Sequence, residues 1–278
     1  MRRAARSTVL LSRGVLLSRA ALLGLAVLLG LAACGTDGAS GPAVDEDPAR
    51  GAVSGSIVVS AAASLTDVFA DIGDAFVAEH PGARVTFNVG SSGQLSSQIL
   101  DGAPADVVAF ADVAPMEALA DAQLLGGEAS IFARNRLVIV TKPGNPEGIT
   151  GLADLADAGV VSLCAESAPC GAYAERALGA AGVTIPTDRI TRGQDVRATL
   201  TAVTEGDAVA AIVYVTDAVA TGDSVDRVEI PEADDVVAAY PIAVLAGSAS
   251  PDVAVAFDEF VRSEAGQRIL GDAGFLEP

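Results

Sequence analysis

The chain is poor in the groups that catalysis relies on. A single histidine, His80, serves all 278 residues, so a serine nucleophile has one imidazole to call on. That histidine stands in a His80-Pro81-Gly82 reversal, where it supports no zinc site. No G-x-S-x-G elbow, G-x-x-x-x-G-K-[ST] phosphate loop or H-E-x-x-H helix occurs. Asp106 and Asp112 can be posed as paired acids. Asp106 reads instead as a turn residue before a buried strand, and Asp112 as the cap of a helix at Pro115. Basic residues are also scarce, 17 against 36 acids, which argues against nucleic acid as a partner. Lys142 is the only lysine and lies near an expected hinge. Arg192 and Arg197 read as solvated or paired with the many acids, with a role as anion ligands as the alternative. Solenoid-length repeats and heptads are absent.

What is present begins with an N-terminal leader. Residues 1–33 hold five arginines, no acid and an apolar run from Ala20 to Leu31, the pattern of a signal peptide. The run falls short of the ~20 residues that cross the hydrocarbon of a membrane. Leu31-Ala32-Ala33-Cys34 resembles a lipobox, which implies that Cys34 becomes the lipidated mature N-terminus; ordinary cleavage beside an incidental cysteine is the alternative. Residues 34–55, rich in Gly, Ala, Pro, Ser and Asp, read as a flexible tether. Losing five of the 17 basic residues leaves 12 against 36 acids, a formal charge of −24. Such a shell does not forbid an anionic ligand, because exposed charges are screened over ~8 Å while local dipoles act at contact. About 220 residues remain for one large core or two lobes.

Strand and helix patterns alternate along that remainder, which predicts an α/β fold with mostly parallel sheets. Strands are expected at Ile57 to Val59, Val85 to Val89, Val107 to Phe110, Leu137 to Val140, Val160 to Leu163, Val209 to Val213 and Ile242 to Leu245. Helices are expected at Asp67 to Glu79, Gln94 to Leu100, Pro115 to Ala120, Leu152 to Ala156, Ala172 to Ala181, Val196 to Glu205 and Pro251 to Arg262. Two strand-to-helix junctions carry small hydroxyl residues: Ala61-Ala62-Ala63-Ser64-Leu65-Thr66-Asp67 and Gly90-Ser91-Ser92-Gly93. Helix starts offer unpaired N–H groups and the positive end of the peptide dipole, so these junctions read as two cradles for one oxyanion.

These junctions, with Gly102-Ala103-Pro104-Ala105-Asp106, Pro169-Cys170-Gly171-Ala172-Tyr173, Gln194-Asp195-Val196-Arg197 and Ile212-Val213-Tyr214, recur in the order and spacing of a known family. From Ser56 to Leu276 the chain resembles periplasmic molybdate-binding proteins, the capture component of ATP-driven importers. The resemblance implies a two-lobe periplasmic-binding-protein type II fold, each lobe a mostly parallel sheet flanked by helices. Crossings are implied near Asn135 to Lys142 and Ala238 to Gly247, giving a first lobe of 56–136 plus 246–278 and a second of 137–245. The implied ligand shell is Ser64 and Ser92, each giving a hydroxyl and an N–H, Cys170 and Val196 giving N–H groups, and Tyr214 giving its phenol. A monomer without cofactor is expected, and the missing catalytic motifs predict no enzymatic activity. The expected partners are molybdate or tungstate, an ABC permease, and the outer face of the cell membrane through the lipid anchor.

A shell made only of donors suits a fully ionised dianion and rejects a protonated oxygen. Plainer readings remain: Ser64 with Asp67 as a capping box, Gly90-Ser91-Ser92-Gly93 as a tight turn, Val196 as a first-turn residue, Tyr214 as a half-buried strand tyrosine. A register shift would exchange Ser92 for Ser91. With Cys34 lipidated, Cys164 and Cys170 are left six residues apart in an oxidising compartment, which favours a disulfide over two thiols. Rival functions are a binder of another ligand such as sulfate, and a sensor lipoprotein without transport.

Overall fold

The structure is a computed structural model that describes residues 53–231 and 236–278. The leader, Cys34 and the tether up to residue 52 lie outside the described residues. Two five-stranded sheets organise the remainder. In the first lobe, β1 (Ser54–Ala62) leads to α1 (Thr66–Glu79), β2 (Gly82–Gly90) to α2 (Ser92–Leu100), and β3 (Val107–Ala109) to α3 (Val113–Asp121), before edge strand β4 (Ser130–Asn135). The chain then crosses through Arg136. In the second lobe β5 (Leu137–Thr141) is followed by β6 (Val161–Cys164) and α4 (Pro169–Ala181), β7 (Ile190–Gly193) and α5 (Val196–Thr204), and β8 (Ala210–Tyr214) and α6 (Val215–Thr221). Edge strand β9 (Asp226–Glu229) completes that sheet, and the chain returns as β10 (Ala238–Val244), α7 (Pro251–Arg262) and α8 (Glu264–Asp272).

The strand orders are β2-β1-β3-β10-β4 and β7-β6-β8-β5-β9, so each lobe repeats one topology. In each, three parallel strands joined by helices meet one antiparallel strand, β10 or β5, beyond which an edge strand, β4 or β9, runs in the original direction. The expectation of mostly parallel sheets is thereby refined to mixed sheets. A helical crossover returns a strand parallel to its predecessor, whereas β5 and β10 arrive directly from the other lobe and enter antiparallel.

The second crossing was expected near Ala238 to Gly247, with the second lobe running to residue 245. Instead β10 pairs with β3 and β4 of the first sheet, so the chain has already crossed back between Glu229 and Ala238. The tether also ends earlier than residue 55, because Ser54 and Gly55 pair with Gly82 and Ala83. Three strands without a long apolar run, β4, β7 and β9, and the helices α6 and α8 were not anticipated, and Leu152–Ala156 forms a 3-10 turn.

Packing follows from side-chain spacing. Along α1, Val68, Phe69, Ile72 and Phe76 share one buried face. Phe69 and Phe76 meet the ring of Phe257 on α7 edge-on at 6.2 and 5.3 Å between centroids. The helix stops at His80, whose N–H donates to Phe76 O before Pro81. Asp106 is structural, as its sequence position suggests: its carboxylate accepts from Val58 N (2.7 Å), Ser248 Oγ (2.6 Å) and Ala249 N (3.0 Å), joining β1 to the segment after β10. Asp106→Ala leaves these partly buried donors without their shared acceptor, and urea unfolding should show a loss of about 2 kcal/mol.

Candidate functional site

The parallel strands of both sheets point their C-terminal ends into one cleft of about 210 Å³ between the lobes, the usual location of ligands in open α/β sheets. The first lobe contributes Ser64, Ser91, Ser92 and Ala111; the second contributes Cys170, Val196 and Tyr214. All five residues singled out in the sequence thus line a single cavity. Each stands at a strand-to-helix junction. Ser92 and Val196 are the first residues of α2 and α5, and Cys170 follows Pro169 at the start of α4. The first N–H groups of a helix have no partner within it, so these backbones bring partial positive charge to the cleft. Among the described residues, no lysine or arginine lines it.

Ser64 does not cap α1. It lies in a 3-10 turn, Ala63–Leu65, and the helix begins without a side-chain capping bond. Its Oγ lies 3.0 Å from Tyr240 Oη on β10. The direction of that bond follows from its neighbours. Arg136 N donates to Asn135 Oδ1 (2.9 Å), which orients the amide so that Nδ2 donates to Thr216 Oγ1 (2.8 Å) and Tyr240 Oη (3.4 Å). Tyr240 is fully buried, and Ser64 Oγ is the acceptor in reach of its one proton, so the arrangement that satisfies both groups has Tyr240 accepting from Asn135 and donating to Ser64. Ser64 in turn is left with its own proton for the cleft. Ser92 is held the same way: Ala111 N donates to its Oγ at 3.0 Å. Among the described residues, the buried Tyr214 Oη and Ser91 Oγ have no hydrogen-bond partner. Burial pushes the Tyr214 phenol well above its usual range, which keeps it protonated and able to donate.

Sequence reasoning missed Tyr240 and Asn135, and it set Ser91 aside in favour of Ser92. The structure brings both serines to the cavity, Ser91 as the residue before α2 with no side-chain capping bond. The chain's three tyrosines form one row, with centroids 6.5 Å apart for Tyr173 and Tyr214 and 5.9 Å for Tyr214 and Tyr240. Asp112 caps α3 through Val113 N (2.8 Å), as expected, and also accepts from Tyr173 Oη across the cleft (3.3 Å).

Cys164 and Cys170 form a disulfide with Cα atoms 5.7 Å apart. It ties the end of β6 to the first turn of α4, so the loop that delivers the Cys170 N–H is closed covalently. Chain entropy assigns a loop of this length about 2 kcal/mol. Arg192 donates to Cys164 O (2.9 Å) and pairs with Glu166 (3.3 Å) and Glu175 (2.8 Å), so it is committed away from the cleft. Lys142 donates to Gly206 O at 2.8 Å. Gly93, in the first turn of α2, faces Ser167 of the opposite lobe so closely that an added Cβ would stand 2.6 Å from the Ser167 carbonyl oxygen.

A hinged pair of α/β lobes whose helix starts converge on a shared cleft is the architecture of a solute-binding protein. The chain belongs to the bacterial extracellular solute-binding protein family, whose sequence model matches residues 57–276. It is a binding protein and not an enzyme. It is 42% identical over 248 residues to the molybdate-binding protein ModA of Mycobacterium tuberculosis, covering 88% of this chain and 92% of that one. Its fold is similar to the periplasmic molybdate-binding protein of Azotobacter vinelandii, with a TM-score of 0.71 at 19% identity over 80% of this chain and 99% of that one. The sulfate-binding protein SubI of M. tuberculosis shares the fold equally, with a TM-score of 0.71 at 23% identity over 79% and 86%.

Behind the cleft, Asp217 on α6 is buried, and burial raises its carboxyl to about 7 although Arg197 pulls the other way. An acid whose folded pKa lies above its unfolded value contributes stability that is full below about pH 4 and is lost as pH rises through about 7. Relative to Asp217→Asn, the wild type should therefore lose up to about 1.4 kcal/mol per pH unit between pH 5 and 7 and level off above. Urea unfolding across that range measures the difference.

Proposed function

We propose that the protein captures a fully ionised tetrahedral oxo-dianion, molybdate or tungstate, outside the cell and delivers it to the permease of an ATP-driven importer. In this reading it is a monomer held at the membrane surface by lipid on Cys34. Ser64 and Ser92 each give the ion a hydroxyl and an N–H, Cys170 and Val196 give N–H groups, and Tyr214 gives its phenol. The observation that carries the reading is the polarity of the two serines. Each oxygen already accepts from the protein, Ser64 from Tyr240 and Ser92 from Ala111, so each hydroxyl keeps its proton to donate into the cleft and has one lone pair fewer to offer there. The identity to ModA supports the choice of ion.

An all-donor shell distinguishes anions by protonation. Each hydrogen bond to a charged oxygen contributes roughly 1.5 to 3 kcal/mol net, while the proton of hydrogen phosphate would face donors and find no acceptor. Sulfate carries the right charge but is smaller, so donors spaced for a larger ion would be stretched beyond good bonding distance. Molybdate and tungstate are nearly equal in size and both fit. Capture proceeds by closure: donors from the two lobes reach one ion together only when the lobes meet, so the ion shifts the open–closed equilibrium toward the closed form. A permease then recognises that form.

Isothermal titration with molybdate, tungstate, sulfate and phosphate tests the assignment. The first two should bind far more tightly than the others. Ser64→Ala and Ser92→Ala should each weaken molybdate by about tenfold to a hundredfold, and a double variant of undiminished affinity rejects the site. Tyr240→Phe frees a lone pair on Ser64, so it should weaken molybdate and narrow the gap to phosphate. Separately, Gly93→Ala should obstruct closure against Ser167, lowering affinity at least tenfold while the melting temperature of the ligand-free protein holds.

A further inference from the structure

Arg197 stands one position beyond Val196 in the first turn of α5, in the second lobe, yet its guanidinium reaches into the first. Nε donates to the carbonyl oxygen of Ala63 at 3.4 Å, and Nη2 pairs with the carboxylate of Asp67 on α1. On its own side, the buried carboxylate of Asp217 on α6 lies 3.8 Å from Nε. Ala63 and Asp67 flank Ser64 in sequence. One second-lobe side chain therefore holds both ends of the segment that presents a first-lobe serine. The guanidinium does not enter the cleft; it occupies a separate hollow of about 420 Å³ whose lining includes Ser64, Asp67, Thr216 and Arg197.

We propose that Arg197 is an interlobe clasp, a positioning residue that lengthens the closed state by gripping Ala63 and Asp67 across the cleft without touching the captured ion. The contact exists only when the lobes are together, since its two halves sit on different sheets. It therefore slows reopening and leaves the encounter of ion and open cleft unchanged, which places its effect in the dissociation rate. The side chains of Arg197 and Asp67 are 33% and 59% exposed. Pairs of that kind are weak and screened by salt, so the clasp adjusts residence time and does not create affinity. Asp217, 3.8 Å beneath the guanidinium, attracts it from its own lobe only in the ionised form.

The inference rests on the capture reading for its choice of ion alone. Asp67→Asn is the cleaner variant because it lies on the lobe opposite Val196 and outside the cleft; Arg197→Gln and Arg197→Lys complete the set. Stopped-flow dissociation of molybdate should be about fivefold faster in Asp67→Asn and Arg197→Gln than in the wild type. Association should stay within about twofold, and the gap should shrink in 1 M salt. Arg197→Lys, which keeps the charge, should recover part of the loss. Spin labels, one on each lobe, report closure directly, with molybdate, tungstate or sulfate added. In whichever anion closes the wild type, Asp67→Asn should show a smaller closed fraction and an unchanged ligand-free melting temperature. A wild type that closes with sulfate but not molybdate overturns the ion assignment while the variants still test the clasp. Equal closed fractions and equal dissociation rates in wild type and Asp67→Asn overturn the clasp alone, and a wild type that closes with no anion overturns both.

Discussion

A hydroxyl has one proton, and where that proton is sent decides what a buried serine can bind. The cleft is organised around this constraint. Ser64 and Ser92 point at the same space from two different junctions, and in both the oxygen is already engaged as an acceptor, by Tyr240 and by Ala111. The amide of Asn135, fixed by Arg136 N, sets the sense of the first arrangement from the crossing between lobes. A pocket built this way needs no cation. The selectivity proposed for it rests on where its protons are sent, and the supporting residues that send them are as much part of the site as those at its surface.

The topology supplies the other half of that design. Because both sheets run their parallel strands toward the cleft, each strand-to-helix junction arrives with free N–H groups aimed inward. The acidic shell, −19 for the whole chain, does not oppose this: its charges are screened at a distance, and the dipoles at contact are not. Asp195, the one carboxylate along the lining, is turned to its own helix, accepting from Ala198 N at 2.9 Å.

Much of this was legible in the amino-acid order, for identifiable reasons. The buried strands β1, β3, β5, β6, β8 and β10 announce themselves as apolar runs, and β2 by alternation in Val85-Thr86-Phe87-Asn88-Val89. The strands that escaped notice, β4, β7 and β9, all lie at sheet edges, where Ile190-Thr191-Arg192-Gly193 or Asp226-Arg227-Val228-Glu229 need bury only part of their surface. Helix α6 follows β8 without a connecting residue, so no turn marks its start. At the site, residues at junctions were readable because junctions carry local signals. Tyr240 was not, since it meets Ser64 across 176 positions of sequence. Arg197 meets Asp67 across 130, and only the folded chain shows that its reading as a residue paired with an acid places that acid on the other lobe.

The close approach of Gly93 to the Ser167 carbonyl carries one more consequence. Side chains can rotate aside, but two stretches of main chain brought to contact cannot, so this meeting acts as the anvil of a calliper. The jaws have a minimum gauge written into the backbone itself, and under the capture proposed above an ion below that diameter would rattle instead of completing the grip, however favourable its charge.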